Sequence, residues 1–423
     1  MSTQPQEDTD GAPTGLSEQE LIYDWNVLDS RRPIARGSRP VLFFDESLRD
    51  GIQCPSVVDP KINDKLEILH LMDSLGIQWV DVGLPGAGAR AVEDGTRITQ
   101  EIIDCGLNIQ PSAAGRTHIN DLRPIVEISQ KTGQSLEVMA FLGSSPIRQF
   151  AEDWDLNRMI RMAVDAIDFV VREGLPVCFV TEDTVRSRPK TLDALFRAAM
   201  DAGATRLCLC DTVGHATPDG VRAIVRFTQS VVDASGNRDR VTLDWHGHND
   251  RGLALTNAIV ALESGANRLH GTGIGIGERV GNTSIDQLLL NLQLLGVIDH
   301  DLSNLTRYCH KISEAMQVAI PVNYPLAGAD AFRTATGVHA AAIIKAQNKG
   351  DTWLADRIYS GVPASEFGCG QKIEVGHMSG ASNVVYYLRE RGIEPSEERV
   401  ARILDFAKGT NHTLTEDEIM SLV

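Results

Sequence analysis

Aromatic and basic residues are scarce in this sequence, and it has no long apolar run. Aromatic residues account for 5% of the 423 positions, and 40 Lys and Arg stand against 57 Asp and Glu, which gives a formal net charge of −17. An acidic chain of this kind offers no basic surface, so we expect no nucleic-acid partner. The longest apolar runs are as short as a β-strand, far below the roughly 20 residues that span a bilayer. We therefore expect no membrane partner.

Signals for secretion and for disulfide bonding are also lacking. The N-terminal stretch MSTQPQEDTDGAPTG contains neither the basic nor the apolar segment of a signal peptide. The 7 cysteines are scattered and form no C-x-x-C pair, which is typical of reduced thiols rather than of a disulfide framework. The sequence thus predicts a cytoplasmic protein, and its 42% hydrophobic residues suffice for a large core.

Short runs rich in Val, Ile and Leu alternate with helical patterns between residues 41 and 271. The predicted strands are Val41–Asp45, Trp79–Gly83, Asn108–Ala113, Leu136–Leu142, Pro176–Thr181, Arg206–Asp211, Val241–Trp245 and Arg268–Gly271. Repeats of this number and size predict an α/β fold, a (β/α)8 TIM barrel. A doubly wound sheet is the alternative, but it requires a glycine-rich phosphate turn after the first strand, where this chain has RDGIQCP.

Three regions follow from these patterns. Residues 1–37 are polar and acidic and form a predicted N-terminal arm, with a short helical pattern at Leu21–Leu28. Residues 38–300 form the predicted catalytic barrel. Residues 301–423 lack the strand pattern and predict a smaller helical C-terminal appendage, with helices at Leu302–Ala319, Thr336–Lys349, Ser382–Arg391 and Ser396–Lys408.

Polar residues follow many of the predicted strands, at the end where a TIM barrel forms its active site. They are Asp45, Glu46, Arg49, Asp50 and Gln53 after the first strand, Glu182 and Asp183 after the fifth, Asp211, Thr212 and His215 after the sixth, His246, His248, Asn249 and Asp250 after the seventh, and Glu278, Arg279 and Asn282 after the eighth.

The pair His246 and His248 is the strongest chemical signal among them. Side chains two apart on a strand point the same way, so both imidazoles can reach one point, and Asp50 would complete a two-histidine, one-carboxylate metal site with open positions. The alternative is a chance coincidence, since the chain has 11 histidines. The placement at a barrel strand end favours the metal site.

Two further patterns are weaker. The glycine-rich stretch around Glu278 and Arg279 is a flexible loop near an anion or simply a series of turns, and it is not a P-loop because G-K-[ST] is absent. Cys208 and Cys210 have strand-alternate spacing and are interpreted as small core residues. His270 has no partner in sequence and is interpreted as structural.

Together, the segments FDESLRDGIQ, LDWHGHND and GIGERVGN resemble the DRE-TIM metallolyases, and the match is nearest to the branch of 2-isopropylmalate synthase and homocitrate synthase. The resemblance covers roughly residues 40 to 390. It implies a metal-dependent acyltransferase of amino-acid biosynthesis, such as leucine biosynthesis, that condenses acetyl-CoA with a 2-oxo acid to a 2-alkylmalate-type product and CoA. It also implies a divalent ion (Zn²⁺, Mn²⁺ or Mg²⁺), and a homodimer with exchanged C-terminal segments.

The same resemblance carries roles over to particular residues. The metal ligands would be Asp50, His246 and His248, with Asn282 as a weak fourth. Arg49 would stabilise the developing enolate or alkoxide, Gln53 would be a neighbouring polar contact, and Thr212 would hold the oxo-acid carboxylate. Catalytic roles would also fall to Glu182, near the acyl carbon, and to the appendage residues His339, as the base, and Tyr359.

Several departures leave the oxo acid open. Ile52 replaces the acidic residue of the usual RDGEQ, and Arg148 stands where a histidine is usual. The products homocitrate and citramalate therefore remain alternatives to isopropylmalate. Cleavage of the 3-hydroxy-3-methylglutaryl-CoA lyase type is a further alternative, although the glycine-rich loop lacks that group's cysteine. A metal-binding scaffold without catalysis is disfavoured by the intact set of mouth residues.

Overall fold

The computed structural model describes residues 20–27 and 40–423. Its central feature is a closed barrel of eight parallel strands that neighbour one another in chain order, which confirms the predicted (β/α)8 fold. The strands are β1 Leu42–Asp45, β2 Trp79–Asp81, β3 Gln110–Arg116, β4 Glu137–Gly143, β5 Val177–Glu182, β6 Arg206–Asp211, β7 Thr242–Gly247 and β8 Arg268–Gly271.

Helices connect the strands and complete the chain. They are α1 Ile62–Ser74, α2 Ala89–Cys105, α3 Ile119–Thr132, α4 Pro146–Glu152, α5 Leu156–Arg172, α6 Pro189–Asp201, α7 Pro218–Ala234, α8 Ala254–Ser264, α9 Ile285–Leu294, α10 Leu305–Met316, α11 Gly337–Asn348, α12 Thr352–Arg357, α13 Ala381–Glu390, α14 Glu397–Lys408 and α15 Glu416–Met420. Among the described residues, no helix combines the length and apolar character that a bilayer crossing needs.

Local sequence explains where these helices begin and end. The side chains of Asp155 and Thr217 accept hydrogen bonds from the first turns of α5 and α7, which satisfies backbone N–H groups that have no helical partner. Gly106 and Gly133 follow α2 and α3 in the left-handed conformation, which suits glycine at a helix end. The connections therefore turn sharply back to the next strand.

The N-terminal end of the barrel interior is filled by charged side chains. Glu137, Arg206, Asp244 and Arg268 form this base cluster, and all except Arg206 are almost completely buried. An Arg268 Nη2 nitrogen lies 2.6 Å from Glu137 and 2.5 Å from Asp244, and Arg206 lies 3.0 Å from Asp244. Two carboxylates thus meet two guanidinium groups, so the cluster is balanced in charge.

The chain divides into two compact units. Among the described residues, the barrel unit contains 40–332 and 364–370, and the second unit contains 20–27, 333–363 and 371–423. In the second unit, the short strands β9 Arg333–Thr334 and β10 Lys372–Ile373 pair in parallel. Val384, Leu388 and Ile403 belong to the buried core of α13 and α14.

The predicted N-terminal arm falls largely outside the described residues. Within residues 20–27, a single 3-10 turn at Trp25–Val27 occupies part of the predicted helical pattern, and Leu28 is not described. The domain boundaries drawn at residues 37 and 300 stay predictions.

Candidate active site

Asp50, His246 and His248 converge at the mouth of the barrel. Asp50 lies in the turn after β1, and the two histidines lie at the end of β7 and directly after it. The Nε2 atoms of His246 and His248 are 3.5 Å and 3.6 Å from Oδ2 of Asp50. These distances are long for hydrogen bonds, but two ligands about 2.1 Å from one ion lie roughly 3.0–3.4 Å apart. The three ligand atoms therefore have a spacing that fits a shared cation.

An unpartnered buried atom supports the same interpretation. Oδ1 of Asn282 is buried and has no hydrogen-bond partner. Asn282 lies beside His248 through an antiparallel β-bridge, and its Nδ2 donates to the carbonyl of Ile276. Because a buried polar atom without a partner costs free energy, the Asn282 oxygen fits a further ligand of a cation.

Glu46 supports His246 from behind the site. Nδ1 of His246 lies 2.6 Å from a Glu46 carboxylate oxygen, which leaves Nε2 directed at Asp50. A carboxylate on the far nitrogen is the usual support of a metal-binding histidine. Burial alone would lower the pKa of His246, but Glu46 raises it to about 10. Burial and the charge of His246 lower the pKa of His248 to about 4.

Arg49 is surrounded by carboxylates. Its Nε donates to Asp81 at 2.8 Å, its Nη2 donates to Glu46, and its Nη1 approaches Asp50 at 3.4 Å. Burial raises the pKa of Asp81 to about 6, with Arg49 opposing that rise. Three carboxylates around one guanidinium leave negative charge in excess, which a divalent cation would balance.

The remaining barrel candidates line the same cavity, which has a volume of about 230 Å³. Glu182 ends β5, and burial raises the pKa of its carboxyl group while Arg148, 4.0 Å away, opposes the rise. Thr212 Oγ1 accepts a hydrogen bond from the Asp183 backbone N–H, so its own proton is available to a ligand. Gln53 also faces this cavity. The structure thus brings together Arg49, Asp50, Gln53, Glu182, Thr212, His246 and His248.

A buried network fixes the loops behind the site. The Tyr308 hydroxyl donates to Asp45, and Ser47 accepts from the backbone N–H of Gly273. Asp286 accepts from the backbone N–H of Ile274 at 2.7 Å. The turn that carries Arg49 and Asp50 is thereby tied to the start of the glycine-rich loop.

Two other groups among the described residues have donor atoms close enough for a metal. Glu46, His246 and His270 form one, but Glu46 already pairs with Arg49 and with Nδ1 of His246. The other lies on the surface of α1 and α2 and consists of His70, Glu101 and Cys105. There Glu101 already forms an ion pair with Arg97. In both groups the carboxylate already pairs with an arginine, so both are weaker candidates than the group at Asp50.

His339 and Tyr359 lie in the second unit. Their rings stack with centroids 4.1 Å apart and planes inclined by 26°, and both side chains are exposed. The two candidates from the C-terminal appendage are therefore in direct contact with each other.

Three contributors to the site are missing from the predictions made from the sequence. Glu46 has a place at the mouth there but no role, Asp81 is not among the candidates, and His270 is interpreted as only structural. His270 lies 3.1 Å from Asp244, as a structural histidine would, but it also lines the cavity. Asp81 ends β2, and an acidic residue at a barrel strand end was the signal that could have identified it.

Comparisons with known proteins identify the relatives of this chain. A family model described as HMGL-like matches residues 40–314. Homocitrate synthase AksA of Methanopyrus kandleri is 31% identical over 369 residues, covering 86% of this chain and 86% of that protein. A 2-isopropylmalate synthase of Shouchella clausii is 27% identical over 394 residues, covering 91% of this chain and 73% of that protein.

Solved structures agree in fold. An HMG-CoA lyase from Brucella melitensis superimposes with a TM-score of 0.54 at 18% identity, over 66% of this chain and 100% of that chain. The matching family model spans most of the barrel and all the mouth residues. The expected family resemblance is confirmed: the chain belongs to the HMGL-like family.

Proposed function

We propose that the protein is an acyltransferase that condenses acetyl-CoA with a 2-oxo acid and releases CoA and a 2-alkylmalate-type acid. The observation that carries the proposal is the convergence of Asp50, His246 and His248 beside Arg49 in one cavity. The names of the relatives, homocitrate synthase and 2-isopropylmalate synthase, support it. The predicted cytoplasmic location is part of this proposal.

Asp50, His246 and His248 would hold the divalent ion, with Asn282 as the fourth protein ligand. When bound, such an ion supplies the positive charge that stabilises negative charge developing on an oxygen. Imidazole and carboxylate together suit Zn²⁺ or Mn²⁺, and Mg²⁺ less well. The excess of carboxylates around Arg49 would further favour a cation here.

The protein's own groups would orient the reactants. Thr212 would donate its hydroxyl proton to the oxo-acid carboxylate, since its oxygen already accepts from Asp183. Arg49 would direct Nη1 at the enolate oxygen, because Asp81 and Glu46 hold its other nitrogens. Gln53 would add a polar contact, and Glu182 would lie near the acyl carbon. Such preorganised donors lower a barrier without reorganising during the reaction.

The acetyl-CoA methyl group is a very weak acid, so the reaction requires a positioned base. We assign this role to His339, with Tyr359 stacked on it. Replacing His339 with Ala should abolish turnover and leave oxo-acid binding nearly unchanged, as measured by calorimetry. A loss of oxo-acid affinity would contradict this role.

The general test is release of CoA thiol from acetyl-CoA by the metal-loaded protein with a pool of 2-oxo acids. We expect release that requires both an oxo acid and a divalent ion. Release without an oxo acid would indicate simple thioester hydrolysis, and no release under any condition would contradict the proposal.

The proposed homodimer with exchanged C-terminal segments has its own test. Asp50→Asn and His339→Ala proteins should each be inactive, but random mixing of their subunits should restore about a quarter of the native activity if each site uses His339 of the partner subunit. A mixture that stays inactive would contradict the exchange.

A further inference from the structure

The cavity at the barrel mouth has two unlike walls. Its polar wall comes from β1, β7 and β8 and the turns after them, and it contains Asp50, His246 and His248. The residues that line the other side come from β3, β4, β5 and the turn after β2, and Glu182 stands at the outer end of this side. We name this side the apolar wall, and it consists of Leu84, Ala114, Met139, Phe141 and Val180.

Strand alternation and register create the apolar wall. Met139 and Phe141 are two apart on β4, so both point into the barrel. Ala114 is paired with Met139, and Val180 is paired with Phe141. The wall packs as one hydrophobic cluster with the buried Phe44, Cys178, Cys208 and Cys210. The side chains of the cluster offer no hydrogen-bond donor except weak thiols, and the Arg268 guanidinium that contacts Met139 is held by Glu137 and Asp244.

The guanidinium groups near the cavity are already paired with carboxylates. Arg49 is the one Lys or Arg among the described residues that line it, and Glu46, Asp50 and Asp81 surround this side chain. Arg148, on α4, lies 3.2 Å from Glu152 and 4.0 Å from Glu182.

Arg279 is paired as well, through two bonds to Asp250. The cavity lining itself carries the acids Glu46, Asp50, Glu182 and Glu278. A second carboxylate directed at the apolar wall would therefore find no unpaired guanidinium or ammonium group among the described residues that line the cavity.

We propose that the site takes a monocarboxylic 2-oxo acid with an apolar side chain and rejects 2-oxo acids that carry a second carboxylate. This inference rests on the proposed condensation. An oxo acid bound through its carboxylate and ketone at the polar wall directs its side chain across the cavity to the apolar wall. The name homocitrate synthase, carried by a relative 31% identical, denotes a tricarboxylic product, so the cavity of this chain departs from that substrate.

The test compares two oxo acids of matched shape in the thiol-release assay with the full metal-loaded protein. These are 5-methyl-2-oxohexanoate and 2-oxoglutarate, in which an isopropyl group replaces a carboxylate. We expect kcat/KM to favour the apolar acid by about 10³-fold, because a carboxylate desolvated without a partner binds poorly. Equal or better use of 2-oxoglutarate would overturn the inference and leave the condensation intact. No release with either acid, nor with shorter apolar acids, would contradict the condensation itself.

A pair of variants locates the specificity on the apolar wall. Val180→Lys places a cation there, and Val180→Met adds similar length without charge. We expect the lysine variant to gain 2-oxoglutarate turnover by about tenfold or more relative to the apolar acid, and the methionine variant to keep the native preference. If the lysine variant folds and keeps the native preference between the two acids, the apolar wall does not determine substrate choice.

Arg148→Ala provides the remaining control, and it stays informative if the lysine variant does not fold. Because Arg148 already faces Glu152 and Glu182, we expect its removal to leave the preference between the two acids unchanged. If the native protein used 2-oxoglutarate efficiently and Arg148→Ala did not, this arginine would bind the second carboxylate. That result would overturn the proposal.

Discussion

The two ends of the barrel both bury charge, but in different balance. In the base cluster, Glu137 and Asp244 face Arg206 and Arg268. Burial alone would raise the pKa of Asp244, but the two arginines outweigh burial and lower this pKa. At the mouth, three carboxylates surround Arg49. Balanced charge is complete without a ligand, whereas three carboxylates beside two imidazoles fit a bound cation. The comparison separates buried charge that supports the fold from buried charge that supports chemistry.

The largest expected effect comes from removing a ligand at the mouth. Asp50→Asn should lower turnover by about 10⁴-fold, since a bound divalent ion lowers the activation barrier by several kcal/mol. Metal content measured by atomic emission should fall in parallel, while the melting temperature of the metal-free protein changes little. Retained metal with lost turnover would show that Asp50 acts otherwise than as a ligand.

At the base, the same kind of change should affect folding instead. Arg268→Met leaves two buried carboxylates to one arginine, so we expect the free energy of unfolding to fall by about 3–5 kcal/mol. Denaturant unfolding measures this loss. The matched control is Arg197→Ala, which removes an exposed pair with Asp193 and should cost less than about 1 kcal/mol. Similar losses in both variants would remove the distinction between the clusters.

The pH dependence of the free energy of unfolding should also differ between the two ends of the barrel. Burial raises the pKa of Asp286 to about 6 from an ordinary 3.8, so the folded state holds a proton that the unfolded state releases. Stability from this group is therefore lost as pH rises from about 4 to about 6, the opposite of the trend at Asp244. Asp286→Asn mimics the protonated form and should remove on the order of 2 kcal/mol of this pH dependence. Unfolding free energies at pH 4.5 and pH 7, compared with those of the native chain, measure it, and identical slopes would contradict the assignment.

A comparably small effect is expected at Glu46, which supports His246 in the proposed metal site. Glu46→Gln keeps a hydrogen-bond acceptor near His246 but removes its charge, so we expect metal affinity to fall by about 10- to 100-fold. Competition with a chelator of known affinity measures the change. Because Glu46 also pairs with Arg49, turnover at saturating metal indicates whether that contact matters separately. Unchanged affinity would remove Glu46 from the site.

Sequence alone predicted the barrel and the three convergent side chains, but not the groups that support them. β6 and β8 begin and end at the predicted residues, because their apolar runs stop at clear polar boundaries. The strand β5 extends to Glu182, one residue beyond its predicted end, since a glutamate that faces the cavity looks like a loop residue. The strand β3 is shifted, to Gln110–Arg116, because its alanines and glycine give little strand signal.

Contacts between distant residues were beyond sequence reasoning. Glu46 and His246 are 200 positions apart, and their pairing depends on strand register around the closed barrel. The base cluster has the same origin, because Glu137 and Arg268 meet only when β4 and β8 face each other across the interior. Motifs indicate which side chains share a barrel end, but not which carboxylate belongs to which cation.

The course of the chain between its two compact units limits how the protein can be divided. After leaving the barrel unit at residue 332, the chain returns for residues 364–370 before leaving again. In that returning segment Phe367 is fully buried, and the Thr306 hydroxyl lies 3.2 Å from the sulfur of Cys369. Cutting the chain once, at any peptide bond, would therefore strip one unit of part of itself. Isolating the catalytic barrel requires an engineered reconnection of its ends rather than simple truncation.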